Sequence, residues 1–168
     1  MEKQHSPYGG SQVFRYAACP GSVALIAKAP ADKSSVYADE GSLAHALAQK
    51  ALEAGLDTSA KWVGETIAAG PGIVGKVTEE MSAAVDVYLA AVWAEHEAAG
   101  DDVEIEVEQR FQLDVEAAEG EAFGTNDALI YSPANRKLTI FDYKHGAGVV
   151  VGVENNHQLK FYAIGALQ

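Results

Sequence analysis

Two short segments of this sequence carry charged side chains, and a hairpin-like spacer separates the two segments. The first segment ends in Asp127, and the second supplies Asp142 and Lys144. Carboxylate oxygens, waters and a phosphate oxygen are the ligands that Mg²⁺ or Mn²⁺ prefers, and a lysine beside the ion can orient a water or stabilise a developing anion. These three residues therefore predict a divalent-metal phosphodiesterase site.

Two predicted strands would bring these side chains together. A strand over residues 137–144 places Asp142 and Lys144 on one face, because side chains alternate along a strand. A strand over residues 123–131 carries Asp127, and the turn between the two strands closes a hairpin. The hairpin predicts that Asp127 lies beside Asp142, within reach of one shared cation.

Helices on either side of these strands carry further polar residues. A helix predicted over residues 39–54 carries His45. A closing helix, capped by one of the asparagines at 155–156, carries Gln158 and Tyr162, which lie on one face because they are four residues apart. Both could orient the site or contact a nucleic-acid backbone.

The remaining elements follow from periodicity and from turn residues. Val103 to Leu113 alternates apolar and polar residues, which predicts a strand with Glu104, Glu106 and Glu108 on a solvated face. The alternative is that one of these glutamates assists the metal site. The other predicted elements are two short helices over residues 11–28 with a corner at 19–22, a loop or small hairpin over 57–75, a helix from Thr78 to Gly100, and a fourth strand over 149–153.

The order of helices, a strand meander and a helix predicts an α+β fold, a mixed α/β sandwich, in a single domain over residues 1–168. The missing stop signal before Gln168 predicts truncation at the C-terminus. The net charge of −12 argues against a protein that coats DNA, although cations at a nuclease site would supply positive charge. Cys19 is the only cysteine, which excludes an intramolecular disulfide and favours a reducing cytoplasm; no apolar run is long enough to cross a membrane.

Four motifs in order resemble those of the PD-(D/E)XK nucleases, in the RecB-like exonuclease branch. They are Glu40-Gly41-Ser42-Leu43-Ala44-His45, Gly124-Thr125-Asn126-Asp127, Asp142-Tyr143-Lys144, and Gln158 with Tyr162. Together they span residues 40–162 and are more specific than any one alone. Residues 16–22 and 37–41 further resemble a phage and prophage subgroup of hypothetical proteins.

The resemblance implies a restriction-endonuclease-like core, with a central, mostly antiparallel or mixed sheet flanked by helices. It implies that Mg²⁺ or Mn²⁺ is held by His45, Asp127, Asp142 and the Tyr143 backbone carbonyl. Lys144 is then the catalytic lysine, and Gln158 and Tyr162 lie on the helix behind the site. No iron–sulfur cluster is expected, and Cys19 is then a buried or packing thiol.

The function implied is a metal-dependent deoxyribonuclease, an exonuclease acting on DNA ends or single strands in phage recombination, replication or repair. Its partners would be DNA and phage recombination or replication proteins, in the host cytoplasm. Two alternatives stay open: a non-catalytic DNA-binding or assembly module that retains the fold, and a hydrolase for another phosphate ester. Taken alone, His45 is more typical of a partly buried helix histidine, and His96, His145 and His157 are predicted at the surface.

Overall fold

A computed structural model describes residues 6–30, 35–100, 103–114, 122–146 and 151–168. Within these ranges the chain has an α+β fold, as predicted. The helices are α1 (Val13–Ala18), α2 (Ser22–Ile26), α3 (Val36–Glu53), α4 (Glu79–Ala99) and α5 (His157–Leu167). The strands are β1 (Thr66–Gly70), β2 (Ile73–Lys76), β3 (Ile105–Gln112), β4 (Phe123–Ser132) and β5 (Lys137–Phe141).

The chain forms two compact units. The first unit comprises Met1–Asp32, Gln109–Asn126 and Val150–Gln168, and the second comprises Lys33–Glu108 and Asp127–Val149. The helices α1, α2 and α5 belong to the first unit, and α3 and α4 belong to the second.

The second unit has its core between α3, α4 and a small sheet. Leu47 on α3 and Val85 and Leu89 on α4 are fully buried in it. The strands β1 and β2 pair antiparallel, with Thr66 opposite Lys76, so the small hairpin predicted for this region is confirmed.

Capping side chains fix where the two long helices begin. The Ser35 hydroxyl accepts a hydrogen bond from the Ala38 amide at the start of α3, and the Thr78 hydroxyl accepts one from the Met81 amide at the start of α4. Each bond satisfies an amide that has no partner within its helix. The predicted α4 is thus confirmed from its cap to Gly100, where a backbone φ of 105° ends it.

A three-stranded sheet in the order β3-β4-β5 carries the segments of chemical interest. The strands β4 and β5 pair antiparallel with Ala128 opposite Phe141. The prediction that β5 continues to Lys144 is wrong, because the strand ends at Phe141. The Tyr143 amide donates its hydrogen bond to the side chain of Asp127 instead of to a strand carbonyl, so the ladder stops there.

In the first unit, Asn156 caps α5, since its side-chain oxygen accepts hydrogen bonds from the amides of Gln158 and Leu159. The sequence left Asn155 and Asn156 as alternatives. The prediction of a buried Cys19 is wrong: this residue follows the last turn of α1 and is exposed. Residues 151–153 form no strand, and the earlier part of the predicted fourth strand lies outside the described residues.

Among the helices that the structure describes, none combines the length and the apolar character needed to cross a membrane.

Candidate functional site

Asp127 is the centre of a polar cluster in the second unit. One carboxylate oxygen, Oδ1, lies 3.1 Å from Nδ1 of His45, and the other, Oδ2, accepts a hydrogen bond of 2.6 Å from the Tyr143 amide. The strand β4 supplies Asp127, α3 supplies His45, and the segment after β5 supplies Tyr143. Three separate elements therefore meet at this one carboxylate.

Asp142 lies across the hairpin from Asp127. The pairing of Ala128 with Phe141 places the next residues outward, Asp127 and Asp142, opposite each other. Asp142 forms an ion pair with Lys144 at 2.5 Å, so the expectation that these two side chains point the same way is confirmed. Burial and the charge of Asp127 raise the pKa of Asp142, and they outweigh the opposing effect of Lys144.

His45 is partly buried beside Asp127. Burial by itself lowers the pKa of this imidazole, but the hydrogen bond and the negative charge of Asp127 outweigh it, and the net pKa is raised. Lys144 acts in the opposite direction on the same ring. The structure therefore brings together His45, Asp127, Asp142 and Lys144, as the sequence predicted.

Tyr143 packs under the cluster and holds several of its members. Its buried ring lies 5.3 Å from the His45 ring, between centroids, and its hydroxyl lies 3.0 Å from Nδ1 of His145. Burial raises the pKa of Tyr143 to about 12. His145, predicted at the surface, has a side chain only 9% exposed, and its Nε2 lies 3.7 Å from a carboxylate oxygen of Glu40.

Glu108 joins this cluster, although the strand pattern predicts it on a solvated face with Glu104 and Glu106. Its backbone adopts a left-handed conformation with φ of 52°, which interrupts the alternation of β3, and its side chain is half-buried. Burial and the charge of Asp127 raise the pKa of Glu108 to about 7. The solvated-face prediction is thus wrong for Glu108 and holds for the exposed Glu104 and Glu106.

Gln158 and Tyr162 meet each other on α5 in the first unit. The Gln158 amide nitrogen donates a 3.3 Å hydrogen bond to the Tyr162 hydroxyl, as their spacing predicts. Tyr162 is buried, and a Cβ on Gly124 would lie 3.1 Å from its ring. Gly124 therefore leaves room for the ring of Tyr162, a side chain of its own unit.

The cluster contains the types of ligand that divalent cations bind, an imidazole and carboxylates. An imidazole and three carboxylates lie within electrostatic range of one another, and a bound cation would offset the repulsion between the carboxylates. Nevertheless, no group of three His, Cys, Asp or Glu side chains in the described ranges is arranged to hold a metal. Metal ligation by His45, Asp127, Asp142 and the Tyr143 carbonyl stays a prediction.

Comparison with known proteins matches residues 5–168 to the family described as "Protein of unknown function (DUF2800)". No solved structure matches the chain.

Proposed function

This chain belongs to the family described as "Protein of unknown function (DUF2800)", and we propose that it is a Mg²⁺- or Mn²⁺-dependent deoxyribonuclease of the PD-(D/E)XK type. The observation that carries the proposal is the convergence on Asp127 of His45 and the Tyr143 amide, across the hairpin from the Asp142–Lys144 ion pair. Members of three of the four motifs thereby meet in one unit.

His45, Asp127 and Asp142 would hold the cation, with the Tyr143 carbonyl as a further ligand. When bound, Mg²⁺ or Mn²⁺ supplies a Lewis acid that lowers the pKa of water and neutralises charge on a phosphate. The Tyr143 amide fixes the orientation of the Asp127 carboxylate by its hydrogen bond. A hydrogen bond of this kind, from a neighbouring group to a metal ligand, holds the ligand in a fixed orientation.

Lys144 and Glu108 supply the remaining chemistry of phosphodiester hydrolysis. As the oxygen of water bonds to phosphorus and the bond to the leaving oxygen breaks, negative charge grows on the phosphate, and the half-exposed Lys144 ammonium stabilises it. Glu108 is the half-buried carboxylate of the same cluster that we assign to accept the proton of the attacking water.

DNA is the phosphodiester that we favour, as ends or single strands. The net charge of −12 disfavours binding of a polyanion over the whole surface, so affinity must be concentrated where a cation offsets the carboxylates. We accordingly expect activity to depend steeply on the divalent cation. Phage recombination, replication or repair is the process in which such an exonuclease would act, in the host cytoplasm with proteins of that process as partners.

An assay on linear, circular and single-stranded DNA with Mg²⁺, Mn²⁺ or EDTA tests the proposal. We expect cation-dependent degradation of linear or single-stranded DNA, lost in Asp142→Ala and Lys144→Met, and kept in Glu106→Ala. Glu106 is the matched control because it is an exposed carboxylate of the same unit. Equal inertness of the wild type and Asp142→Ala on all substrates would refute the nuclease proposal.

A non-catalytic module that retains the fold, for DNA binding or assembly, is the second candidate, and the net charge of −12 favours assembly over the coating of DNA. A DNA-binding assay run on the same proteins separates the two functions. Binding without degradation, unchanged by Lys144→Met, would support the module, because a scaffold does not need a lysine beside its carboxylates.

A further inference from the structure

The segment that follows β5 lies against the rest of its unit without a strand ladder. Residues 142–145 have no regular secondary structure, yet Tyr143 is buried and the side chain of His145 is only 9% exposed. Backbone groups outside a ladder need other partners, as the Tyr143 amide has in Asp127. The contacts of these two side chains therefore help to hold the segment in place.

His145 bridges Tyr143 and the start of α3. Its Nδ1 lies 3.0 Å from the Tyr143 hydroxyl oxygen, and its Nε2 lies 3.7 Å from Oε1 of Glu40. Glu40 and His45 both lie on α3, and the His45 ring centroid is 5.3 Å from that of Tyr143. Tyr143 is thus connected to α3 at two points, directly at His45 and through His145 at Glu40.

The two neighbours of His145 determine which of its ring nitrogens carries the proton. In a neutral imidazole one nitrogen donates a hydrogen bond and the other accepts one. An ionised carboxylate only accepts, so the charge of Glu40 favours the proton on Nε2, the nitrogen that faces it. Burial raises the pKa of Tyr143 to about 12, so its hydroxyl keeps the proton that it donates to Nδ1.

His45 has the opposite arrangement. Its Nδ1 lies 3.1 Å from Oδ1 of Asp127, and because an ionised carboxylate only accepts, the neutral ring carries its proton on Nδ1. The lone pair is then on Nε2, which has no hydrogen bond to any residue that the structure describes. The side chain is 33% exposed. His45 therefore keeps an acceptor nitrogen on a partly exposed ring.

We infer that His145 is a positioning residue for His45: it holds the Tyr143 side chain against the His45 ring, and the two histidines adopt opposite neutral tautomers. Tyr143 in turn orients Asp127 through its amide, and Asp127 selects the protonated nitrogen of His45. Nε2 of His45 is thereby kept as an acceptor for what the site binds. This arrangement requires neither a bound cation nor DNA, so it is independent of the proposed nuclease activity.

The test is long-range ¹H–¹⁵N NMR of the protein in EDTA, at a pH at which both imidazoles are neutral. The protonated and the bare nitrogen of a neutral imidazole resonate far apart, so the spectrum identifies each tautomer. The variants are His145→Asn and His145→Leu, which have side chains of similar size. Asparagine can accept a hydrogen bond from the Tyr143 hydroxyl, whereas leucine cannot. His157→Leu is the matched control, because it removes an exposed imidazole.

We expect the wild type to carry its protons on Nδ1 of His45 and on Nε2 of His145. In His145→Leu, the ¹⁵N signals of His45 should shift toward those of the exposed His157, because Tyr143 is no longer held. His145→Asn should restore the wild-type signals of His45, and His157→Leu should leave them unchanged. Rescue by asparagine separates the positioning role from a loss of packing, since leucine fills a similar volume.

Three results would overturn the inference. A proton on Nδ1 of His145 in the wild type would refute the assigned tautomer, and unchanged His45 signals in a folded His145→Leu would remove the positioning role. If His145→Leu does not fold, Tyr143→Phe decides: it keeps the ring and removes the hydroxyl, and unchanged His45 signals there would also refute the role. If the spectra are as expected while the wild type degrades no DNA, the role of His145 stands and the nuclease proposal fails.

Discussion

Replacing Glu108 by glutamine should stabilise the metal-free protein above neutral pH, although the residue lies in the candidate site. Glutamine has nearly the same shape as glutamate, but it cannot ionise. The wild-type carboxylate must give up its proton in a half-buried position close to Asp127, and folding therefore makes its ionisation less favourable. The glutamine variant does not have this free-energy cost of ionisation in the folded state.

The magnitude follows from the shift in pKa. Burial and the charge of Asp127 raise the pKa of Glu108 from 4.5 to about 7, and each pKa unit corresponds to about 1.4 kcal/mol. The full shift would give about 3 kcal/mol, which partial solvent screening reduces to about 2 kcal/mol. The folded state binds the extra proton between pH 4.5 and 7, so wild-type stability falls as pH rises through that window.

Thermal unfolding in EDTA, followed by circular dichroism at pH 5 and pH 8, measures the effect. We expect Glu108→Gln to melt roughly 4–8 °C above the wild type at pH 8, and close to it at pH 5. Glu106→Gln is the control, because it makes the same change at an exposed position of the same strand. A gain at pH 8 no larger than that of Glu106→Gln, or a gain equal at both pH values, would refute the reasoning.

Four further predictions concern stability. Mg²⁺ or Mn²⁺ should raise the melting temperature more at pH 8 than at pH 5, because the carboxylates that repel one another are then ionised; a pH-independent shift in differential scanning fluorimetry would contradict this. Gly165→Ala should destabilise by about 1–3 kcal/mol in chemical denaturation, since its Cβ would lie 2.5 Å from the Phe111 side chain. Gly41→Ala, the matched helical change in open space, should instead stabilise by about 0.5–1 kcal/mol. Asp86→Ala should cost about 2 kcal/mol, because it removes the acceptor of bonds from the Ser59 amide and hydroxyl, and a loss below 0.5 kcal/mol would show that water replaces them.

Helix caps and strand patterns in the sequence were sufficient to predict the parts of the site that lie on regular helices and strands. The cap at Thr78 and the glycine at residue 100 predict α4 almost to the residue, because each end is fixed by its own chemistry. The hairpin of β4 and β5 predicts that Asp127 faces Asp142, since the antiparallel register leaves no other partner.

Predictions from the alternation of apolar and polar residues were wrong where the backbone departs from regular strand geometry. The period of two along β3 predicts that Glu108 is solvated. Its left-handed φ turns the residue inward instead, and no neighbouring glycine indicates this conformation in the sequence. The end of β5 was missed for a related reason: the Asp127 side chain takes the Tyr143 amide, and pairing of this kind is a tertiary contact. His145 is covered by packing against Tyr143 and Glu40, which a surface prediction from sequence ignores.

The many contacts of Tyr143 bear on how this protein could be redesigned. Its amide donates a hydrogen bond to Asp127, and its ring packs against those of His45 and Tyr88. Its hydroxyl lies within hydrogen-bond distance of His145. Substitution there would disturb the whole cluster at once. A variant meant to direct the proposed metal site toward softer ions would therefore keep Tyr143 and introduce histidine at Glu108, a half-buried carboxylate of the same cluster.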